Sequence, residues 1–316
     1  MANLGSNVNK LEESNIISVL HCLYHFDELK KDIINQVNNN QDSIVNSVIN
    51  FLKNNQNQSI KEILSNSFNK YDYKNTIFLL FEKLKKNLNK IPNNFYFLNL
   101  SNQNEEIQKL NEFIGKISEG TIIDNSFYYI EEFKFYCSDK KKTDYKFKIQ
   151  PFISVNIDYL IKIKKFSNLF NPEIKKEKCI FCGSTNDKCF VEKKIITIPK
   201  ILIIVLDGVY DQSIQNHYMI NHNNFKYILK CFINNNKIVY FKKDSIFYQY
   251  DEKNGEKKVD ILDKLYPSIL FYKIYNMSKE NNNKNSNNMQ NINNINNQNN
   301  MNFSNITNNN IMLILF

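Results

Sequence analysis

Residues 179–206 read CIFCGSTNDKCFVEKKIITIPKILIIVL, a segment that few folds can hold. It opens with a Cys-x-x-Cys knuckle, Cys179 and Cys182, and closes with the unbroken apolar run Ile201–Leu206 just after Pro199. An apolar run of strand length, rich in β-branched residues, predicts a strand buried on both faces. Two cysteines spaced by two residues chelate a metal with little strain. The chain must therefore build a sheet with cover on both sides and place a tight cysteine turn shortly before its central strand.

The rest of the chain divides at about residue 125. Residues 1–13 are polar and read as a loop. From Asn15, the apolar positions Ile16, Val19, Leu20, Leu23, Phe26 and Leu29 follow helical spacing and predict an amphipathic helix to about Val37. Further helices are predicted near Ile44–Leu52, Ile60–Phe68, Thr76–Leu88 (ending before Pro92) and Glu105–Ile117. Beyond 125, short aromatic and β-branched stretches between polar turns predict strands. These are Phe127–Tyr136, Tyr145–Ile157, Lys194–Leu206, Tyr227–Ile233, Lys237–Phe241, Ser245–Tyr250 and Ser268–Tyr275. Helices first and strands later indicate an α+β fold rather than alternating βαβ units. Residues 276–316 form an Asn-rich tail, expected to be disordered because it offers too little apolar surface to offset ordering entropy.

Composition excludes several classes. A chain of 316 residues with 24 Phe, 18 Tyr and 42% hydrophobic content can bury a large core through about residue 275. The formal charge of +9 comes from lysines spread along the chain, which reads as a solvated surface. The aromatic residues alternate with apolar ones in predicted strands and read as core, so nucleic acid is not an expected partner. No apolar run approaches the length of a membrane span, and the N-terminus lacks a signal-peptide pattern. Six cysteines in a chain of this length fit a reducing compartment, cytosol or nucleus, better than a disulfide framework.

Several segments, in order, resemble the catalytic domain of ubiquitin-specific proteases. Ser18-Val-Leu-His-Cys-Leu23 resembles the Ser-x-Leu-Gln-x-Leu that follows the family's nucleophilic Cys. Gln108–Ile114 resembles its Gln-Asp-Ala-x-Glu-Phe-Leu element, and Phe152–Ile157 its Phe-x-x-Leu-x-Leu segment. Thr197–Leu206 resembles its Leu-Pro-x-Val-Leu strand, with Asp207-Gly208-Val209 where Lys-Arg-Phe is usual. Phe247-Tyr-Gln-Tyr-Asp-Glu252 resembles Trp-Tyr-x-Phe-Asp-Asp, and Pro267–Tyr272 the closing strand. The resemblance implies a papain-like cysteine-protease fold with fingers, palm and thumb over residues 1–275: a helical thumb-like part to about 125 and a β-rich fingers and palm part over 126–275. Ubiquitin or ubiquitinated proteins are the implied partners.

The same resemblance locates an altered catalytic centre. An ungapped match puts Ser14 in the nucleophile slot and Asn9 at the oxyanion position. A second match, through Asn3-Leu-Gly-Ser-Asn-Val8, puts Val8 and Asn3 there. Asn234-Asn235-Asn236-Lys237 fills the His box, with Asn236 in the His slot, and Asp251 stands where the His-orienting acid belongs. The implied protein is one of the ubiquitin system that binds or scaffolds without turnover. Two alternatives stay open: an active deubiquitinase using Ser14 or Cys22 with His21, His217 or His222, and a basic interaction or RNA-associated module. Cys22, inside the predicted helix, reads as a core residue. Family members carry two Cys-x-x-Cys knuckles holding one zinc. Here the first reads Cys137-Ser-Asp-Lys140, leaving Cys137, Cys179, Cys182 and Cys189 either as a four-thiolate structural zinc site or as a decayed knuckle with free thiols. The missing second ligand of the first knuckle favours the latter.

Overall fold

The computed structural model describes residues 5–37, 42–54, 64, 67–68, 71–98, 104–176, 178–183, 189–208, 218–222, 225–251, 255–259 and 266–275. The expected tail at 276–316 and most of the helix expected at 60–68 lie outside these residues.

Two helices, Gly5–Tyr24 (α1) and Asp27–Gln36 (α2), stand where the apolar spacing predicts one from Asn15. The last turn of α1 tightens as His25 N–H reaches the Cys22 carbonyl (3.3 Å) and Phe26 N–H that of Leu23 (3.1 Å). Asp27 and Glu28 then open α2, where exposed amides favour negative charge. At its other end α1 begins at Gly5, so much of the predicted N-terminal loop is helical. Ser43–Asn54 (α3), Tyr73–Asn87 (α4) and Asn104–Lys116 (α5) correspond to predicted helices. Ile122–Phe127 (α6) and Ile157–Ile163 (α7) do not. Both begin at side-chain caps: Asp124 accepts from the Thr121 N–H (2.7 Å) and hydroxyl (2.9 Å), and Asn156 accepts from the Asp158 N–H (2.8 Å). A 3-10 turn follows at Phe166–Phe170.

Short strands Ile91–Pro92 (β1), Tyr96–Phe97 (β2) and Glu119–Gly120 (β3) lie among the helices. After them come Tyr129–Cys137 (β4), Lys142–Gln150 (β5), Ile153–Asn156 (β6), Glu173–Lys175 (β7), Cys189–Ile195 (β8) and Thr197–Ile198 (β9). The last group is Ile201–Asp207 (β10), Met219–His222 (β11), Phe225–Asn234 (β12), Val239–Lys243 (β13), Ile246–Asp251 (β14), Gly255–Val259 (β15) and Pro267–Tyr275 (β16). The larger sheet runs β15-β14-β13-β12-β16-β10-β6, with β11 added to β12, and the smaller runs β5-β4-β8-β7.

The larger sheet is covered on both sides, as Ile201–Leu206 requires. Ile201, Ile203 and Val205 of β10 join α1, α3 and α4 in one core, while Leu202, Ile204 and Leu206 face a second core with α7 and the 3-10 turn. β16 repeats the division, with Ile269 and Phe271 on the helical side and Leu270 and Tyr272 opposite. β16, last among the described strands, is thus hydrogen-bonded between β12 and β10 at the centre of the sheet. The smaller sheet is backed by α5, whose Leu110 packs with Ile130 and Ile196.

Candidate functional site

The smaller sheet carries a cluster of thiols at its tip. β4 ends at Cys137 and β8 begins at Cys189, and the two stand directly opposite in the antiparallel register. The knuckle closes on them by a tight turn in which Gly183, at φ +72°, donates its N–H to the Cys179 carbonyl (2.8 Å). The four Sγ atoms all lie within 4.8 Å of one another. Individual separations are 3.5 Å for Cys137–Cys189, 3.7 Å for Cys182–Cys189 and 3.8 Å for Cys137–Cys182. Tetrahedral zinc with Zn–S bonds of about 2.3 Å needs sulfurs about 3.8 Å apart, so the set fits the ion. Cys137, Cys179 and Cys189 are buried and Cys182 is partly so. Burial pushes the Cys179 thiol up, but the N–H groups of Phe181 and Cys182 and the neighbouring thiols outweigh it and bring it down to about 7. Burial and the adjacent thiols push Cys189 well up. The four thiols, expected either as a structural zinc site or as a decayed knuckle, thus stand together, close enough to bind one zinc ion. Cross-strand pairing brings Cys189 beside Cys137, a relation across 52 residues that spacing alone does not display.

The second region is where α1 meets the turn between β12 and β13. Ser18 Oγ donates to the Lys237 carbonyl at 2.9 Å, which brings the helix of Ser14 against the turn of Asn236. The turn is fixed by Asn234, whose Oδ1 accepts from the N–H groups of Asn236 (3.0 Å) and Ile238 (2.9 Å). Lys237 sits at φ +65° and Asn236 is exposed. Ser14 and Asn9 lie inside α1, beyond its first turn, whereas Val8 falls within that turn. Only first-turn amides are left free to stabilise an anion. Asn3 is outside the described residues. Asp251 ends β14 opposite Gly255. One residue earlier, Tyr250 packs its ring 3.7 Å from that of His21.

Two of the candidate replacements for the missing groups, Cys22 and His21, sit in the core. Cys22 has no exposed surface, and burial, followed by the neighbouring Cys231, pushes its thiol well up. His21 is held between Phe51 and Tyr250 and is 1% exposed. His222 stacks on Phe225 at 4.9 Å, and burial lowers its basicity. His217 is outside the described residues. His25, which the sequence did not single out, stacks on Phe241 with centroids 3.6 Å apart. Burial first, then Lys243 and Lys230, lower its pKa to about 3. The sequence also missed an ion cluster at the end of β10. There Asp207, in place of the usual Lys-Arg-Phe, takes Lys74 of α4 (2.6 Å) and the Ser154 hydroxyl (2.7 Å). Burial raises the Asp207 carboxyl, and Lys74 with Ser154 more than reverses this.

No family model and no curated protein matches the chain. Solved structures do. The yeast SAGA deubiquitinase module with Sgf73 aligns at a TM-score of 0.53 and 15% identity, covering 83% of this chain and 67% of that one. A SAGA module of Ubp8, Sgf11, Sus1 and Sgf73 gives 0.53 and 14%, covering 87% and 68%. The fold is that of a ubiquitin-specific protease domain. Its α+β, papain-like architecture is the one the ordered sequence segments implied. Identities this low establish the frame and leave the chemistry to the residues of this chain.

Proposed function

We propose that the chain is a ubiquitin-binding protein of the ubiquitin system, built on the protease frame and without peptidase turnover. The observation that carries this is the placement of its six cysteines. Four cluster at the tip of the smaller sheet, and Cys22 of α1 and Cys231 of β12, which packs against it, are fully buried. Cysteine isopeptidase chemistry needs a thiolate in the cleft and a base to move its proton. The slots at Ser14 (or Val8), Asn236, Asp251 and Asn9 (or Asn3) supply an orienting acid and an oxyanion donor but no base, because the Asn236 amide cannot take a proton near neutral pH.

In this reading the smaller sheet is the fingers, the larger sheet the palm and the helices the thumb. Cys137, Cys179, Cys182 and Cys189 hold a structural zinc that ties β4, β8 and the knuckle together. Such an ion has all four positions filled by protein and serves as a cross-link. Ubiquitin is the ligand suggested by the deubiquitinase modules that share the frame.

The test is reaction of the full chain with a ubiquitin probe bearing a C-terminal electrophile, beside binding of unmodified ubiquitin and ubiquitin chains. Binding without labelling is expected. Labelling, or cleavage of a fluorogenic ubiquitin substrate, would overturn the loss of turnover. Failure to bind at high micromolar concentration would overturn ubiquitin as the ligand.

A further inference from the structure

The two faces of the smaller sheet differ in character. Directly opposed residues of antiparallel strands share a face, so the register assigns them. One face holds Ile130 of β4 with Ile149 and, nearby, Phe147 of β5, and α5 covers it through Leu110, Phe113 and Ile114. The other face holds Phe133 and Phe135 of β4. Opposite Phe133 stand Lys146 of β5 and Lys193 of β8, and opposite Phe135 stand Asp144 and Val191. Lys142 and Lys148 extend the β5 row on the same face, paired with Cys137 and Glu131.

Phe133 and Phe135 are half-buried and belong to none of the hydrophobic clusters among the described residues. Lysines lie over them instead. Lys148 Nζ is 4.9 Å from the Phe133 ring centre and Lys146 Nζ is 5.2 Å from that of Phe135. The acids of this face are already engaged: Glu131 by Lys193 (2.9 Å), Glu173 by Lys175 (3.2 Å) and Asp144 by Lys109. Lys142, Lys146 and Lys148 are exposed and form no ion pair among the described residues. The sheet thus shows two rings on an inner strand beside a row of exposed lysines, interrupted by Asp144, whose carboxyl Lys109 takes and Lys146 also attracts. The reading of strand aromatics as core fails at these two, as it does at the half-buried Tyr136 and the exposed Tyr275.

We propose that this face binds single-stranded nucleic acid, with bases stacking on Phe133 and Phe135 and phosphates lying along Lys142, Lys146 and Lys148. Alternate residues of a strand stand about 6.8 Å apart, so neighbouring bases can each take one ring. Stacking tolerates any base, since every base has a π-face, and the lysine row neutralises the backbone whatever the sequence. A four-stranded antiparallel sheet with a helix behind and aromatic rings in front is the arrangement by which RNA-recognition sheets stack two or three bases. Two rings at alternate positions of one strand, flanked by lysines along the same row, match the repeat of base and phosphate in a single strand, so the pair favours nucleic acid.

The test is fluorescence anisotropy of the full chain with labelled 12-mers of deoxythymidine and of uridine, at two salt concentrations. Binding is expected to weaken steeply with salt. F133A/F135A should weaken it at least about tenfold through lost stacking. K146E/K148E should weaken it and reduce the slope of log affinity against log salt by roughly 1.4, from two phosphate contacts at about 0.7 each. Should F133A/F135A melt early, F133Y/F135Y, which keeps the rings, must retain binding while K146E/K148E loses it. Absence of binding at about 50 mM salt, where phosphate contacts are strongest, would overturn the proposal. So would binding that the lysine variant weakens and the folded phenylalanine variant does not, because the charge alone would then suffice. Loss of ubiquitin binding in both variants with no oligonucleotide binding would make this a protein-binding face and also overturn it. Ubiquitin binding is read separately, so either proposal can fail without the other.

Discussion

Single residues at the tip of the smaller sheet show most sharply what the sequence could and could not display. Cys179 and Cys182 announce themselves by spacing, and Cys137 by its place in a family pattern. Cys189 joins the cluster only because β4 and β8 pair in the register that sets it opposite Cys137. The same limit explains His25. Its local surroundings look like helix, and only the fold reveals that it stacks on Phe241 among lysines. The cysteine cluster yields the first prediction. Cys189→Ser leaves three thiolates and should reduce zinc from one ion per chain to a small fraction of that, as measured by elemental analysis of purified protein. Because metal affinity is also folding free energy, the variant should lose about 2 kcal/mol or more of stability and melt roughly 4–8 °C lower. Native protein treated with a strong chelator should move to the same melting point. A variant with full zinc and unchanged melting would show that Cys189 is no ligand.

At the scale of elements, long periodic segments were legible and their ends were not. The helices α3, α4 and α5 follow from apolar spacing, whereas the predicted strand Tyr145–Ile157 is really β5 and β6, with Ile157 opening α7. Asn156 decides that last change by capping the new helix, a local preference that overrides the β-branched run ahead of it. Packing between elements creates chemistry that no single segment contains. Glu106 of α5 and Glu132 of β4 are both 1% exposed and share Lys194 of β8, at 2.8 Å and 3.1 Å. Tyr145 of β5 faces the same carboxyls. With two buried acids and one lysine, Glu132 is raised to about 7, first by burial, with Lys194 opposing and Glu106 adding to the rise. The folded protein therefore holds a proton that the unfolded chain releases near the ordinary glutamate value. Its contribution to stability is complete below that value and is lost as pH climbs through about 7. Native protein should be less stable at pH 8 than at pH 5 by roughly 1–2 kcal/mol from this group, and Glu132→Gln should remove that part of the slope. Urea unfolding of both proteins at the two pH values measures it; equal slopes would place the proton elsewhere.

At the scale of the whole molecule, the order of strands governs how the fold can form. β16 comes last among the described strands, yet it lies between β12 and β10, with five register pairs to β10 from Ile201↔Lys273 to Val205↔Ile269. Its side chains complete both cores at once, Ile269 and Phe271 beneath the helices and Leu270 and Tyr272 on the far side. Neither core can close before the chain has reached Tyr275, and pairings of such long sequence separation fold slowly. The sequence reading found this strand from its aromatic alternation and its match to a family segment. Its central place depends on pairing partners some 40 and 70 residues away, and local patterns do not encode those. Truncation separates the two roles. A chain ending at Tyr275 should melt within about 2 °C of the full chain, because that loss removes none of the described contacts. A chain ending at Tyr266 should leave β10 and β12 with open edges and both cores unfilled, and it should be recovered only as aggregate. Circular dichroism and size-exclusion chromatography of the two truncations distinguish these outcomes. A soluble, cooperatively melting chain without β16 would mean that the larger sheet does not depend on its central strand.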